Sequence, residues 1–434
     1  MLKSIKLLSK LLLVLALLLL LSVNTLALEP PDTTKEREPY PEKKGFGQAL
    51  WTIPQFAINV PVDILTGFSQ VVIDDLYAGH LAAQIAALAG ELDRVWGFHP
   101  IFGAGGNSGA EFGLAFTSKD IFTVEERLKI KFSISVNDYQ SFKIRYKAPK
   151  FMGEKLGITL LGQYTQRPQE SYFGSGHLSS RDSETNYNPE HSHLSSSVLW
   201  QARSNVVINL RVGYDAYNIF DGEDPNLVGD IDSIRQIFGL SFSETRNTRL
   251  VSVGGAIDHD WRNDKGQPTA GGREIISVFY YASTENNDNF KYTSVTVDVR
   301  QYFHIFKKRT LAVRLMAQTT DLGDEIPFMP FYLKPSLGGA ETLRGYTRLR
   351  FVDNDLALIS AEYRYPIWKK IDAFVFLDEA RVFKSLTDHF KWHNWKYSYG
   401  GGLIVWETDN LILSFYAAKS EEETRFRIQF SDSF

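Results

Sequence analysis

The stretch RLKIKFSISVN, residues 127–137, alternates apolar and polar side chains along its whole length. The apolar side chains share one face of an extended chain: Leu128, Ile130, Phe132, Ile134 and Val136. The polar side chains share the other face: Lys129, Lys131, Ser133 and Ser135. A period of two predicts a β-strand, because successive side chains of a strand point to opposite sides.

The same alternation recurs along the chain. It is clear in VVINLRVGY (206–214), SVTVDVRQ (294–301) and LISAEYRY (358–365). We count about sixteen such segments between Gly105 and Phe434, with softer boundaries over residues 158–200. The pattern predicts an all-β protein.

Two architectures bury one face of such strands. In a soluble sandwich the apolar face lies in the core, whereas in a membrane barrel it contacts lipid and the polar face lines a wet lumen. The segments are near the ~9–11 residues that cross a bilayer. Charges stand in mid-strand at Arg211, Asp298, Glu362 and Arg364, and aromatic residues lie near strand ends at Tyr302, Phe303, Tyr363, Tyr365, Trp392 and Trp395. We therefore predict a 16-stranded antiparallel transmembrane β-barrel over residues 101–434.

The N-terminal residues predict export. Lys3, Lys6 and Lys10 precede an apolar run that ends near Ala27, which is typical of a cleaved signal peptide over residues 1–27. The alternative, a retained anchor helix, is disfavoured because the run has only about 13 residues, against the ~20 that span a bilayer. Removing residues 1–27 changes the formal charge from −4 to −7, because they hold three lysines and no acidic residue. This mildly acidic balance disfavours nucleic acid as a partner.

Two segments precede the predicted barrel. Residues 28–45 are charged and rich in proline, which predicts a disordered linker. Residues 46–100 contain LAAQIAALAGEL, whose apolar spacing predicts a short helical periplasmic segment. That segment lies on the periplasmic membrane surface or plugs the barrel mouth, or it only caps the lower rim. The chain has no cysteine, so disulfides are excluded.

The C-terminal part resembles the BamA/TamA-type outer-membrane assembly factors, also called bacterial surface antigen proteins. SLGGAETLRGYTRLRF (336–351) is similar to the family's long sixth extracellular loop, with Arg344, Gly345 and Tyr346 in its Arg-Gly-Tyr motif. AEYRYPI (361–367), FVFLDEARVF (374–383) and YSYGGGLIVW (397–406) resemble the twelfth to fourteenth strands. DHDWRNDKGQPTAGG (258–272) and YFGSGHLSSRDSETNY (172–187) resemble periplasmic turns of the family.

The resemblance implies a structural site. The sixth loop folds into the lumen, where Arg344 is expected to meet Asp378 on the thirteenth strand. A guanidinium can bind a carboxylate through two parallel hydrogen bonds, and either charge alone would be costly there. Gly345 would allow a close approach to the wall and Tyr346 would pack on it. The loop motif includes Gly338, Gly339 and Leu343, and Phe430 and Phe434 resemble the outer-membrane sorting signal.

The resemblance also implies a function. We expect a barrel in the outer membrane of a Gram-negative-type bacterium that assists the insertion or translocation of proteins or lipids through a lateral seam. The alternative is a passive, porin-like channel. Typical members carry POTRA domains, and the predicted helical segment implies a member without them. The expected partners are outer-membrane lipids. Further possible partners are unfolded outer-membrane proteins, or a periplasmic protein that binds residues 46–100. We expect the barrel to be monomeric.

No enzymatic chemistry is predicted. GGNSGAE (105–111) lacks the Gly-x-Ser-x-Gly elbow of a serine hydrolase. In NPEHSH (188–193), Glu190, His191 and His193 lack an evident further ligand, so we expect a polar periplasmic turn there and no metal site. The acids of 258–264 could bind a hard cation, but a structural turn is the stronger interpretation. We expect no cofactor and no catalytic residue.

Overall fold

A computed structural model describes residues 96–104, 108–122, 125–285, 290–306, 309–323, 329–368, 371–407 and 410–429. The predicted signal peptide, the linker, most of the predicted helical segment and both sorting-signal residues, Phe430 and Phe434, lie outside this set.

Within the described ranges, sixteen main strands follow one another, and we label them β1 to β16. Their bounds are β1 Trp96–Ala104, β2 Ala110–Lys119, β3 Arg127–Ser135, β4 Gln140–Ala148, β5 Leu156–Gln166, β6 Thr185–Arg203, β7 Val206–Asp221, β8 Thr248–Asp260, β9 Gly271–Ser283, β10 Lys291–His304, β11 Thr310–Asp321, β12 Asp355–Trp368, β13 Ile371–Phe383, β14 Lys396–Glu407, β15 Asn410–Ser420 and β16 Thr424–Gln429. Three shorter strands, Glu170–Tyr172, Ser336–Leu337 and Phe351–Val352, lie in the connections.

Each strand pairs antiparallel with the next, from β1 and β2 through to β15 and β16. The predicted sixteen-stranded antiparallel architecture is confirmed. The first strand begins at Trp96, so residues 96–100 belong to the barrel and not to the helical segment predicted to reach residue 100. The first and last strands approach each other, but no backbone ladder joins β1 to the described part of β16.

The faces of the strands are those of a membrane barrel. On β3, Phe132 and Ile134 are exposed on the outside while Ser133 and Ser135 are buried within. On β13, Leu377 is 45% exposed and the neighbouring Asp378 is fully buried. The polar face therefore points to the lumen and the apolar face to lipid, as the alternation predicts.

The aromatic residues near strand ends do not all form an interfacial belt. Tyr302 is buried and shares the lumen-facing parity of Asp298 on β10, so it is not a girdle residue. Trp392, which is exposed, stacks with Trp395 in the connection between β13 and β14. The prediction was wrong for Tyr302 because parity, not position along the strand, decides the face.

The three longest connections, after β5, β7 and β11, lie at one end of the barrel. We number the eight connections at this end as loops 1 to 8, from the β1–β2 connection (loop 1) to the β15–β16 connection (loop 8). The connection between β5 and β6 (loop 3, residues 167–184) therefore lies at the same end as the connection between β11 and β12 (loop 6, residues 322–354). The segment Tyr172–Tyr187 was predicted to be a periplasmic turn, and this placement corrects it. Residues 261–270 do form a turn, between β8 and β9 at the opposite end.

In the part of the chain that the structure describes, the helices are short and lie in the connections. Helix α1 (Ile231–Phe238) and helix α2 (Phe242–Thr245) lie in loop 4, and helix α3 (Leu386–His389) follows β13. The Asp230 carboxylate caps α1 by accepting from the Ser233 N–H, and Gly239 ends it in the left-handed conformation. Among the described residues, no helix has the length and apolar character needed to cross a membrane.

Candidate functional site in the lumen

Loop 6 is a closed hairpin whose tip carries the Arg-Gly-Tyr motif. Ser336 and Leu337 pair antiparallel with Val352 and Phe351, which brings the two ends of the segment together. Gly338 and Gly339 follow with φ of 115° and 89°, conformations that favour glycine. The Gly339 N–H donates to the Tyr346 carbonyl at 3.0 Å, so the two predicted glycines close the turn that holds the motif.

Arg344 at this tip contacts the lumen wall. Its Nε donates to Asp378 Oδ2 at 2.8 Å and its Nη2 donates to Asp378 Oδ1 at 2.7 Å, which is a bidentate pair. The remaining Nη1 donates to Glu362 Oε2 at 2.7 Å, and Nη2 also contacts Ser360 Oγ at 3.2 Å. The guanidinium carbon lies 3.5 Å from the centre of the Phe376 ring. All three guanidinium nitrogens of Arg344 therefore donate hydrogen bonds to residues of β12 or β13.

The charges around Arg344 balance. Glu362 also accepts from Arg364 Nε at 2.8 Å, so two guanidinium groups face two carboxylates. Arg344, Glu362 and Asp378 are each no more than 2% exposed. Burial alone would lower the pKa of the Arg344 guanidinium, but Asp378 and then Glu362 raise it above its ordinary value. The two carboxylates therefore favour the cationic form of the loop arginine.

The neighbours of Arg344 fix the depth of the loop. Gly345 passes so close to the wall that a Cβ there would lie 2.8 Å from Ser398 Cβ and 3.0 Å from the Lys419 carbonyl carbon. Leu343 and Tyr346 are fully buried. They join one apolar cluster with two residues of the same loop, Leu337 and Phe351, and with lumen-facing residues of β12 and β13: Leu356, Leu358, Ala380 and Val382.

Two further arginines tie loop 6 to other loops. The Arg348 guanidinium contacts Glu170 of loop 3. Arg350, only 2% exposed, donates through Nε to Glu422 Oε2 at 2.8 Å and through Nη1 to Ser179 Oγ at 2.9 Å. Glu422 belongs to loop 8, the connection between the last two strands. Loop 6 thus joins the wall, loop 3 and the final hairpin.

The structure brings together all predicted site residues that it describes. Gly338, Gly339, Leu343, Arg344, Gly345 and Tyr346 form the tip, and Asp378 meets it. Sequence reasoning placed Glu362 on the polar face but did not make it a partner of Arg344. Ser360 lies directly opposite Asp378 in the strand register, with Ser360 Oγ donating to Asp378 Oδ1 at 2.5 Å. The register of β12 against β13, which the sequence does not give, places Ser360 beside Asp378.

A second polar cluster lies on the lumen wall across β6 and β7. His191 and His193 are on β6, so NPEHSH is part of a strand and not the predicted turn. Asp215 Oδ1 of β7 lies within hydrogen-bonding distance of both imidazoles, at 2.8 Å from His191 Nε2 and from His193 Nδ1. It is the third group that the sequence search missed, because β6 and β7 residues become neighbours only through strand pairing.

Comparison with known proteins identifies the family. The Omp85 superfamily domain matches residues 125–434, most of the chain. The structure is similar to BamA from Haemophilus ducreyi lacking POTRA domains 1–3, at 15% identity and a TM-score of 0.57 over 77% of this chain and 69% of that one. It also matches CdiB from Acinetobacter baumannii at 14% identity and CdiB from Escherichia coli at 12%, each with a TM-score of 0.49.

The two CdiB matches cover 78% and 77% of this chain and 60% of each CdiB chain. No curated protein matches the sequence. The chain belongs to the Omp85 superfamily, whose barrels lie in the outer membrane of Gram-negative bacteria.

Proposed function

We propose that this Omp85-superfamily barrel assists the insertion or translocation of proteins at the outer membrane, through the seam between β1 and β16. The observation that carries the proposal is the contrast between this seam and the rest of the sheet. Fifteen neighbouring pairs of strands are joined by backbone ladders, whereas none joins the described residues of β1 and β16.

An unpaired strand edge is a template for another strand. Its free N–H and C=O groups can add an extended client segment by β-augmentation. Pro100, in the middle of β1, has no N–H to offer to either neighbour. Prolines in sheets concentrate at edges, strand starts and bulges, so this residue supports an edge role for β1. Binding by backbone hydrogen bonds requires no catalytic residue, and we propose that the protein is not an enzyme.

Loop 6 supports this function by holding the final hairpin. Arg350 binds Glu422 in the connection between β15 and β16, and Thr347 Oγ1 donates to Glu423 Oε1 at 3.2 Å. The wall contact of Arg344 fixes the same loop to β12 and β13. One edge of the seam is therefore braced against the lumen wall at β12 and β13, so that opening at the seam need not unfold the barrel.

The experiment is reconstitution of the full chain in liposomes, followed by two measurements. We would record the folding rate of an added, unfolded outer-membrane barrel, and single-channel conductance. The proposal predicts faster client folding than in empty liposomes, with small and flickering conductance. Steady conductance without an effect on the client would overturn it in favour of the passive channel.

A disulfide lock tests the seam itself, since the chain contains no cysteine. Cysteine would replace the outward-facing Phe98 on β1 together with Phe426 or Ile428 on β16, which are all exposed. The matched control joins Phe112 and Ile134, which are direct partners on β2 and β3 and also exposed. Oxidation should abolish client folding only for a seam pair, and reduction should restore it. Client folding that persists with the seam crosslinked would exclude this route.

A further inference from the structure

Three potential metal ligands converge on the lumen wall where β6 pairs with β7. His191 and His193 are two residues apart and so share one strand face, and Asp215 is the direct partner of His193 across the ladder. One ligand atom from each residue lies within 4.8 Å of the others. Asp215 Oδ1 is the common centre, at 2.8 Å from one ring nitrogen of each histidine.

We propose that His191, His193 and Asp215 bind a divalent transition-metal ion of the Zn²⁺ class. Two imidazoles and one carboxylate suit zinc and its first-row neighbours, whereas Ca²⁺ and Mg²⁺ prefer all-oxygen sites. Three protein ligands leave the fourth tetrahedral position for water. The site is separate from the Arg344 contact and does not depend on the proposed function.

The hydrogen-bonded geometry is close to that of a metal site. Zinc ligands at ~2.0–2.2 Å in a tetrahedron hold their donor atoms roughly 3.3 Å apart. Reaching this spacing requires the two Asp215 contacts to lengthen by about 0.5 Å while the ring nitrogens draw together.

The surroundings orient the ligands. His193 Nε2 lies 3.0 Å from Ser195 Oγ, and the His191 ring stacks on Tyr217 with centroids 4.1 Å apart and planes 4° apart. Such outer contacts select the nitrogen that faces a metal. The three groups line a cavity of about 420 Å³ that can hold a metal-bound water. Arg211 lines the same cavity, but its guanidinium lies over the Phe279 ring at 3.9 Å.

The site is linked to loop 6 through stacked rings. Tyr217 contacts Tyr332 of loop 6, with ring centroids 5.4 Å apart. The Tyr332 hydroxyl in turn hydrogen-bonds to Thr248 Oγ1 at 2.6 Å and donates to the Arg246 carbonyl at 2.5 Å. A metal ion that fixes His191 would therefore stiffen the wall on which this end of loop 6 rests.

The test uses the full chain, folded in detergent and stripped of metal with a chelator. Co²⁺ titration should give the visible absorption bands of a low-symmetry site at one ion per chain, and Zn²⁺ should displace it. Millimolar Ca²⁺ should not. Equilibrium dialysis measures Zn²⁺ binding independently. His193→Gln and Asp215→Asn should each weaken binding at least tenfold, since each removes one of three ligands.

A matched control is His259→Gln, because His259 lies on β8 and pairs with Glu274 at 2.8 Å, outside the cluster. This variant should bind like the wild type. Heat-resistant electrophoretic migration verifies that each variant is folded. If His193→Gln or Asp215→Asn does not fold, His191→Gln replaces it as the ligand-loss variant. Absence of the Co²⁺ bands in the wild type, competition by Ca²⁺, or binding that survives loss of two of the ligands would overturn the proposal.

Discussion

Arg344 of loop 6 and Asp378 of β13 are joined by two parallel N–H···O bonds of 2.8 and 2.7 Å, inside a barrel wall where both side chains are buried. A third bond comes from the Arg344 backbone N–H to Asp378 Oδ2 at 3.3 Å. The carboxylate therefore orients both the side chain and the backbone of the loop tip. This makes the contact a determinant of where the whole loop lies.

Breaking this pair should be costly. Arg344→Ala leaves the buried Asp378 carboxylate without its guanidinium partner, and Asp378→Asn leaves the Arg344 and Arg364 guanidinium groups facing Glu362 alone. Removing one partner of a buried ion pair destabilises proteins by about 3–5 kcal/mol. Arg344→Lys should fall between these variants and the wild type, because an ammonium cannot make the bidentate contact. The measurement is the temperature at which heat-resistant migration is lost. The exposed Arg203 supplies the control, Arg203→Ala, which should behave like the wild type.

The charge swap, Arg344→Asp with Asp378→Arg, should rescue only in part. In the double variant, the arginine at position 378 would lie on the wall beside Glu362, so it could pair with Glu362 and would not need the loop residue as a partner. The aspartate at the loop tip would then face that same carboxylate. Full recovery of heat resistance by the double variant would show that Glu362 contributes little to the site.

Glu362 should be coupled to the pair. Glu362→Gln removes one of two carboxylates that face Arg344 and Arg364, and leaves an excess of positive charge in the lumen. A double-mutant cycle with Asp378→Asn, followed by urea unfolding, should give a coupling energy of about 0.5–3 kcal/mol. Additive effects within error would mean that Arg344 does not join the two acids energetically.

Gly345 should not accept a side chain. Gly345→Ala places a methyl group 2.8 Å from Ser398 Cβ and against the Lys419 backbone, which forces the loop from the wall at a cost of about 1–3 kcal/mol. Limited proteolysis of loop 6 reports the displacement. Gly162→Ala is the control, because a methyl there meets only the ends of the Ile144 and Leu194 side chains. Equal protease resistance of the two variants would contradict the close approach.

The Arg350–Glu422 contact should restrain the final hairpin. Arg350→Ala removes the buried link between loop 6 and loop 8 and should increase both conductance flicker and loop 8 proteolysis. Arg181 contacts Glu423 from a more exposed position, and surface pairs contribute about 0–1 kcal/mol. Arg181→Ala should therefore change little. If Arg350→Ala leaves the conductance flicker unchanged, the contact between loop 6 and loop 8 does not control motion at the seam.

Much of the fold was predictable because it depends on local rules. Alternation over residues 127–137 predicted a strand and its two faces, and the inverted exposure of Phe132 and Ser133 follows from the same parity. Counting such segments predicted about sixteen strands between Gly105 and Phe434, whereas fifteen of the strands β1 to β16 lie there and β1 precedes them. Placement at one end of the barrel was less secure, as Tyr172–Tyr187 shows, because a missed or added strand reverses the end at which every later connection lies.

The candidate site was predictable in part. The Arg344–Asp378 contact was expected from resemblance to a family motif, since no local pattern relates residues 34 positions apart. Glu362 and Ser360 were on the correct face, but their place beside Asp378 depends on the register of β12 against β13. The link from Arg350 to Glu422 had no sequence signal, because the two residues lie in connections that come together only in the folded barrel.

The sequence by itself determined which residues form strands and which side of each strand faces lipid, because side-chain direction repeats every two residues along one chain. Only the tertiary structure decided which lumen-facing groups meet. Strand register and the path of loop 6 depend on contacts between distant segments, and these place Asp215 beside His193 and Glu362 beside Arg344. Each charged or potential metal-binding residue could be identified from the sequence alone. Their interactions depend on strand pairing and on contacts between loop and wall, which bring distant residues together.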